Sequence, residues 1–309
     1  MAEEKTCELS NVIPPLVLGG GGFNDQINPD PRSLPVRSII KAAFELGIRA
    51  FDTSPYYGPS EELIGDALSQ PDITKKYSRS EYTLMTKVGR ISETEFDYSP
   101  TWVEYSVRRS LQRLQTSYLD VVFCHDVEFV TEGEVIGALE VLYKLVAQGL
   151  IRYVGISGYR LDILVMLCRA ARLCYGRPLD IVQCWAQLTL QNTRLLSDDE
   201  GLQALRNEGV SCICNSSPLA IGLLRSGGVP QGSQGRFPPC SHRASSSGTA
   251  GGPVGGSSRG EPLRAVVALL HLTSFACLLN QLSSEHHYRS QLYTRAQREC
   301  CSSQTGVWT

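Results

Sequence analysis

The first residues that could do chemistry lie in one short stretch. Asp52 follows an apolar strand predicted over residues 48–51, and Tyr57 stands five positions later. A turn punctuated by proline and glycine links them to a predicted helix, with Ser60 as its N-cap. An acid at the end of a strand with a phenol close behind suits proton transfer at the mouth of a βα barrel. A plain βα loop with an aromatic plug explains the spacing equally well, so both interpretations stay open.

Two further polar residues stand where apolar strands end. Lys87 lies near the end of the strand predicted over residues 82–88, and His125 near the end of the strand predicted over residues 119–126. Such a lysine either reaches solvent from a rim or lies beside a group whose pKa it lowers. Such a histidine, taken alone, is more often a structural hydrogen-bonding group than a catalyst. The positions of Lys87 and His125 in the fold therefore decide whether their roles are structural or catalytic.

The chain alternates strands and helices seven times, and its strands are almost continuously apolar, which is typical of a parallel sheet covered on both faces. The strands are predicted over residues 16–18, 48–51, 82–88, 119–126, 151–158, 179–185 and 210–217. This alternation predicts a TIM-type (β/α)8 barrel, in which the strand ends converge at one mouth where active sites lie. The polar residues at the predicted strand ends are Asp52, Lys87, His125, Ser157, Gln183 and Ser217.

These residues also carry a family resemblance. Over about residues 12–228 the chain resembles the aldo-keto reductase superfamily. The catalytic tetrad of that family falls, in order, on Asp52, Tyr57, Lys87 and His125. Within the family, the runs Phe-Asp-Thr-Ser-Pro-Tyr-Tyr-Gly at 51–58 and Val-Gly-Ile-Ser-Gly-Tyr at 154–159 are similar to fungal D-arabinose dehydrogenases and plant L-galactose dehydrogenases.

The resemblance implies a role for each member of this tetrad. A free tyrosine titrates at about pH 10, and a nearby ammonium lowers that pKa by favouring the phenolate. Tyr57 would be the general acid/base, with Lys87 lowering its pKa and Asp52 anchoring Lys87. His125 would orient the substrate oxygen and share in the proton relay. Tyr56 is the rival phenol, but the five-residue spacing from Asp52 favours Tyr57.

The resemblance also implies a nicotinamide dinucleotide, NAD or NADP, as the cofactor that carries the hydride. The positions that match the family's cofactor site, together with Asp52, are Gly21, Gly22, Ser157, Gln183, Ser217, Leu219 and Gly222. The glycine run at 19–22 would let the backbone approach a ligand closely, although a flexible turn is the default for such a run. Gly158 departs from many family members, which have an asparagine there whose amide contacts the nicotinamide carboxamide, although the sugar dehydrogenases resemble this chain at residue 158.

The expected activity is that of an NAD(P)-dependent oxidoreductase that oxidises an aldose of the D-arabinose or L-galactose type at C1 to the aldonolactone. Tyr57 would take the proton of the anomeric hydroxyl as the hydride leaves C1. Two alternatives stay open: an NADPH-dependent aldehyde reductase acting on a small aldehyde, and a truncated, non-catalytic family member.

The composition changes near Pro230. Residues 231–309 contain seven arginines and three glutamates but neither lysine nor aspartate, and glycine, serine and proline crowd residues 230–264. We expect residues 1–229 to form the barrel and residues 230–309 to be an atypical low-complexity tail, disordered or foreign to the family. The barrel would then lack its last strand–helix unit, which leaves an open edge between its first and seventh strands.

Length, charge and cysteine content narrow the class of protein. A chain of 309 residues that is 42% hydrophobic can build one large α/β domain. A net charge of −2 gives no sign of a nucleic-acid partner, and polar residues dilute the apolar stretch 265–282 too much to predict a membrane span. Eleven cysteines without a CxxC pair indicate reduced, buried thiols rather than a metal site or a disulfide framework. We therefore expect a cytoplasmic protein.

Overall fold

The structure is a computed structural model, which describes residue 9 and residues 13–197, 199–218 and 274–278. Its strands are Leu16–Gly19 (β1), Ala50–Asp52 (β2), Thr83–Val88 (β3), Leu119–His125 (β4), Ile151–Gly158 (β5), Ile181–Trp185 (β6), Cys212–Ser216 (β7) and Ser274–Leu278 (β8). The first seven lie where the sequence predicts them, and their ends differ from the prediction by at most two residues.

The α-helices alternate with these strands along the chain. They are Val36–Glu45 (α1), Ser60–Leu68 (α2), Pro71–Thr74 (α3), Pro100–Arg113 (α4), Glu132–Ala147 (α5), Leu161–Tyr175 (α6) and Leu202–Asn207 (α7). Helix α5 begins at a capping box, in which Thr131 and Glu134 each bind the backbone N–H of the other. None of the helices in the described ranges is long and apolar enough to cross a membrane. The cytoplasmic location stays a prediction.

Strands β1 to β7 lie side by side in chain order, and each is parallel to the next. The register brings the carboxyl ends of neighbouring strands to the same level. Lys87 pairs with Phe123, while His125 pairs with Ser157 and Ser157 with Gln183. The polar strand ends that the sequence predicts therefore meet at one mouth of the barrel.

The gap between β7 and β1 is filled by a strand that runs the other way. β8 pairs antiparallel with β1, where Phe275 lies opposite Leu18, and with β7, where Cys277 lies opposite Asn215. The predicted fold class is confirmed: seven parallel strands form a (β/α)8-type barrel, and the described ranges contain no parallel eighth strand–helix unit. The edge that this omission would leave open is paired, because β8 supplies backbone partners to both neighbours. The domain boundary at residue 229 lies outside the described residues and stays a prediction.

Apolar side chains fill two separate layers, which explains why the strands are apolar on both faces. Between the sheet and the helices lies a large cluster that includes Phe44, Phe51, Val107, Leu142 and Leu164. The smaller cluster inside the barrel is contributed mainly by Val17, Ala50, Met85, Val121, Phe123, Ile181, Cys212 and Cys214. This inner apolar layer lies directly below the polar residues at the mouth of the barrel.

The turn after β1 is tied to α2 by a buried hydroxyl. Ser60 Oγ donates to the carbonyl of Gly20 at 3.0 Å and accepts from Thr53 Oγ1 at 2.8 Å. Ser60 is the first residue inside α2 and Pro59 takes the cap position, so the predicted N-cap role of Ser60 is wrong. A side chain at Gly20 would begin 2.5 Å from Ser60 Oγ, so the close approach of strand and helix requires glycine here.

All six cysteines whose side chains are described are free thiols. Five are buried as predicted, namely Cys124, Cys168, Cys184, Cys212 and Cys214. Cys174 is exposed, so the prediction of burial is wrong for this residue. Burial raises the pKa of Cys184 to about 12. A thiol with so little thiolate at neutral pH is a packing residue rather than a nucleophile.

Two helical glycines make a matched test of this packing. An added Cβ at Gly65 in α2 would lie 2.1 Å from the carbonyl oxygen of Arg113, whereas at Gly137 in α5 no described atom lies within 4 Å. We expect Gly65→Ala to lower the free energy of unfolding by about 1–3 kcal/mol, because backbone must shift. Gly137→Ala should raise it by about 0.5–1 kcal/mol through helix propensity. Urea denaturation of both variants measures this, and changes of the same sign would contradict the close approach of α2 to the end of α4.

Candidate active site

At the centre of the barrel mouth lies an ion pair between Lys87 and Asp52. Lys87 Nζ donates to Asp52 Oδ1 at 2.8 Å, to Oδ2 at 2.7 Å and to the carbonyl of Thr53 at 2.9 Å. All three ammonium hydrogens are therefore used. Lys87 is 1% exposed and Asp52 is 5% exposed. Burial raises the pKa of Asp52, and the Lys87 ammonium opposes this shift by favouring the carboxylate.

Tyr57 lies over this ion pair. Lys87 Nζ is 5.1 Å from the centroid of the Tyr57 ring, and the ring stands edge-on to that of His125 with centroids 5.8 Å apart. Burial raises the pKa of Tyr57 well above its ordinary value, and the carboxylates of Asp52 and Asp126 raise it further. The Arg90 guanidinium opposes this rise. The lowering of the Tyr57 pKa by Lys87 that the resemblance implies stays a prediction.

His125 ends β4 and is held on three sides. Its Nδ1 lies 3.1 Å from Ser54 Oγ, its Nε2 lies 3.6 Å from Asp126 Oδ2, and its carbonyl accepts a hydrogen bond from the hydroxyl of Tyr98. Burial lowers the pKa of His125 well below its ordinary value, and the charge of Lys87 lowers it further. The imidazole is therefore neutral at neutral pH, so it can offer one N–H and one lone pair.

A second buried ion pair, which the sequence pattern did not predict, borders the mouth. Arg90 donates to Asp126, and its guanidinium lies 4.1 Å from the centroid of the Tyr56 ring. Arg90 is 8% exposed and Asp126 is 5% exposed. Asp126 has a left-handed backbone with φ of 57°, a region that few side chains adopt. The signal in the sequence is the charged residue directly after the histidine that ends β4.

Two predicted cofactor residues lie on the strand ends beside His125. Ser157 on β5 and Gln183 on β6 are each 3% exposed. Ser157 Oγ makes one long hydrogen bond, to the carbonyl of Cys124 at 3.3 Å. The Gln183 side chain interacts with the Asp52 carboxylate and helps to lower its pKa, although no hydrogen bond of standard geometry reaches Gln183 Nε2 within the described ranges. This amide can therefore bind a better-placed acceptor. The amide of Gln183 and the lone pairs of the Ser157 hydroxyl can bind the carboxamide of a nicotinamide, so the residues present are compatible with the implied cofactor.

The other predicted cofactor residues have different surroundings. Ser217 follows β7 with a left-handed φ of 52° and is 5% exposed. Gly21 and Gly22 form a 3₁₀ turn after β1, and their carbonyls accept hydrogen bonds from the side chains of Asn24 and Asn28. Two side-chain hydrogen bonds therefore hold the backbone of this glycine turn in place. Outside the described residues lie Leu219 and Gly222.

Gly158 leaves room for a carboxyl group. A side chain at residue 158 would begin 2.4 Å from Glu128 Oε2. Glu128 Oε1 accepts the backbone N–H of Tyr159 at 2.5 Å, whereas Oε2 has no hydrogen-bond partner within the described part of the chain. Burial raises the pKa of Glu128 to about 7. The asparagine of many family members does not fit at residue 158 while Glu128 holds this position.

Comparison with known proteins identifies the family. Residues 15–271 match the Aldo/keto reductase family. This chain belongs to that family. It is 46% identical to the D-arabinose 1-dehydrogenase of Saccharomyces cerevisiae over 233 residues. This alignment covers 74% of this chain and 67% of the yeast protein. It is 37% identical to the L-galactose dehydrogenase of Arabidopsis thaliana over 197 residues. This second alignment covers 63% of this chain and 58% of the plant protein.

A solved structure has a similar fold. An aldo-keto reductase from Bacillus halodurans, in its holo form, superimposes with a TM-score of 0.52 at 26% identity, over 71% of this chain and 67% of that chain. The chain thus spans about three-fifths to two-thirds of the length of these relatives. The predicted membership of this oxidoreductase family is confirmed, and aldo-keto reductases generally use a nicotinamide dinucleotide and act on small molecules. The roles of the individual site residues stay predictions.

Removing one partner of the central ion pair tests its contribution to stability. Lys87→Met leaves the Asp52 carboxylate buried without a counter-charge, so we expect the free energy of unfolding to fall by about 3–5 kcal/mol. The double variant Asp52→Asn with Lys87→Met removes both charges and should recover part of this loss. Urea denaturation of the wild type and both variants measures the effect. A double variant no more stable than Lys87→Met would argue against the pairing.

Glu128 predicts a pH dependence of stability. Its pKa in the folded protein, about 7, lies above the ordinary value of 4.5, so ionisation destabilises the fold as pH rises between these values. Glu128→Gln keeps an oxygen for the N–H of Tyr159 and should be more stable than the wild type at about pH 8, by roughly 1–3 kcal/mol. The difference should vanish near pH 4.5.

An exposed glutamate provides the control for this measurement. Hydrogen bonds from Thr131 lower the pKa of Glu134, so Glu134→Gln should lose stability relative to the wild type as pH rises. Urea denaturation midpoints of both variants at the two pH values give the comparison. The same pH trend in both variants would contradict the burial of Glu128.

Proposed function

We propose that this chain is an NAD(P)-dependent oxidoreductase that oxidises an aldose of the D-arabinose or L-galactose type at C1 to the aldonolactone. The observation that carries the proposal is the grouping of Tyr57 and His125 over the Lys87–Asp52 pair. Groups from three strand ends and one loop converge on a small volume that is largely screened from water. This arrangement suits positioned proton transfer.

Tyr57 is the proton-transfer group in this proposal. The anomeric hydroxyl gives its proton to the Tyr57 phenolate, the C1–H bond breaks with its electron pair leaving as hydride, and a C1=O bond forms. A bound nicotinamide would supply the acceptor for that hydride. His125, which is neutral, hydrogen-bonds the same substrate oxygen without adding a charge. The Lys87–Asp52 pair lies beneath the Tyr57 ring and supports its position.

The cofactor would be held by residues on the ends of the later strands. Ser157 and Gln183 would supply hydrogen-bonding groups for the carboxamide, and Ser217 lies at the end of the next strand. Gly21 and Gly22 would approach the cofactor through their backbone. Leu219 and Gly222, outside the described residues, complete the proposed set. Assays with each cofactor in turn distinguish NAD from NADP.

The aldose class is supported by the polarity of the mouth and by the names of two relatives. Arg90 and Asp126 lie beside His125, so a substrate there meets charged and hydrogen-bonding groups rather than an apolar wall. Such groups suit a polyhydroxylated substrate, whose hydroxyls need partners when they leave water. The yeast and Arabidopsis relatives are named for D-arabinose and L-galactose.

The protonation of Tyr57 favours a second candidate, the reduction of a small aldehyde with NADPH. Because the pKa of Tyr57 is raised, the phenol keeps its proton at neutral pH and is ready to donate it to a carbonyl oxygen. The chain is also 32% identical over 217 residues to an L-glyceraldehyde 3-phosphate reductase of Escherichia coli, which covers 64% of this chain and 57% of that protein.

The test is an assay of the full chain at the absorbance of reduced nicotinamide, with NAD or NADP and D-arabinose or L-galactose. Tyr57→Phe should lower kcat/KM at least about 100-fold, because it removes the proton-transfer group. Tyr56→Phe, which keeps the ring that stacks on Arg90, should retain most of the activity. Oxidation by the wild type should rise with pH above neutrality, because the raised pKa of Tyr57 makes its phenolate scarce.

The outcomes separate the candidates. Equal losses in the two tyrosine variants would contradict the assignment of Tyr57. Turnover of aldehydes with NADPH but not of sugars would favour the second candidate. A folded wild type whose melting temperature rises with NAD(P) but which turns over neither substrate class would show that the site binds without catalysis and would overturn the proposal.

A further inference from the structure

His125 touches a buried hydroxyl that the proposed reaction leaves unused. Ser54 lies in the turn after β2 and is 0% exposed. Its Oγ is 3.1 Å from His125 Nδ1, and the same oxygen accepts the backbone N–H of Tyr56 at 3.1 Å. In the part of the chain that the structure describes, Ser54 Oγ makes no further hydrogen bond.

Counting hydrogens decides which nitrogen of His125 carries the proton. A serine hydroxyl has one hydrogen to donate and two lone pairs. The N–H of Tyr56 occupies a lone pair of Ser54, so the hydroxyl hydrogen still needs an acceptor. The lone pair of His125 Nδ1 is the acceptor within reach. With the proton on Nδ1 instead, a buried hydroxyl hydrogen would remain without a partner, at a free-energy cost.

The other side of the ring favours the same arrangement. His125 Nε2 lies 3.6 Å from Asp126 Oδ2. A carboxylate at that distance attracts an N–H and repels a lone pair. The cations of Lys87 and Arg90 also act on the imidazole and disfavour a second proton. Both ring nitrogens therefore face groups that suit a neutral ring protonated at Nε2.

We propose that Ser54 is a positioning residue that holds His125 as the tautomer with its proton on Nε2, so that the ring can offer an N–H rather than a lone pair to a substrate oxygen beside Tyr57. The hydroxyl of Tyr98 binds the carbonyl of His125 and keeps the residue in place while Ser54 sets its protonation. The consequence for catalysis rests on the proposed function. The tautomer itself is a property of the free protein and is testable without any substrate.

The direct test is a nitrogen NMR spectrum of the full chain labelled on its histidine rings. The chain has five histidines, so the spectrum of His125→Asn identifies the signals of His125 by their loss. A protonated and an unprotonated ring nitrogen resonate far apart, which shows the tautomer directly. We expect the wild type to show a protonated Nε2 and an unprotonated Nδ1 throughout about pH 5–8.

Three serine variants locate the cause. Ser54→Ala should give a mixture of tautomers, and the pKa of His125 should rise because the donor to Nδ1 is gone. Ser54→Thr keeps a hydroxyl and should keep the wild-type tautomer. Ser110→Ala is the matched control, because Ser110 is also 0% exposed but lies in α4, and its hydroxyl has no hydrogen-bond partner among the described residues. It should leave the His125 signals unchanged.

Kinetics give the second readout. Ser54→Ala should lower kcat roughly tenfold with a smaller effect on KM, because the substrate still binds but meets the correct tautomer less often. Ser54→Thr should recover most of that loss. A wild-type His125 with its proton on Nδ1, or a Ser54→Ala variant that keeps the wild-type spectrum, would overturn the proposal. If the wild type shows no turnover, the proposed function fails, while the spectra still decide the role of Ser54.

Discussion

A lysine ammonium buried at the mouth of a barrel must have a carboxylate within reach, and this constraint organises the site. Asp52 meets Lys87 with both of its oxygens, and the carbonyl of Thr53 takes the third ammonium hydrogen. Burying an isolated ion costs several kcal/mol, so a loop conformation that drew Asp52 away would be strongly disfavoured. The pair thus holds the end of β2 against the end of β3 and forms the surface on which the Tyr57 ring packs.

Around this pair, each functional side chain is held by a group from a different element. His125 on β4 is bound by Ser54 from the turn after β2 and by Tyr98 from the loop after β3. Arg90 binds Asp126 and so ties the loop after β3 to the turn after β4. These contacts cross between loops, so the mouth behaves as one connected polar network whose members depend on each other for partners.

The Tyr57 phenol lies among groups that act on its pKa in opposite directions. Burial and the carboxylates of Asp52 and Asp126 raise this pKa, and the Arg90 guanidinium lowers it. Catalytic hydrogen bonds often tighten only when substrate and cofactor are present. At the same mouth, Gly158 makes room for Glu128, whose carboxylate accepts the backbone N–H of Tyr159.

Seven parallel strands, the mouth at their carboxyl ends and the family could all be predicted from the sequence, because apolar runs, glycine stops and strand-end polar residues are local signals. The same signals and the family resemblance singled out Asp52, Tyr57, Lys87 and His125 as one group. The antiparallel strand that closes the barrel, the Arg90–Asp126 pair and the contact between Ser54 and His125 emerge only in the folded structure. These depend on residues far apart in the chain, and on burial, which sets pKa values and hydrogen-bond partners that no local pattern encodes.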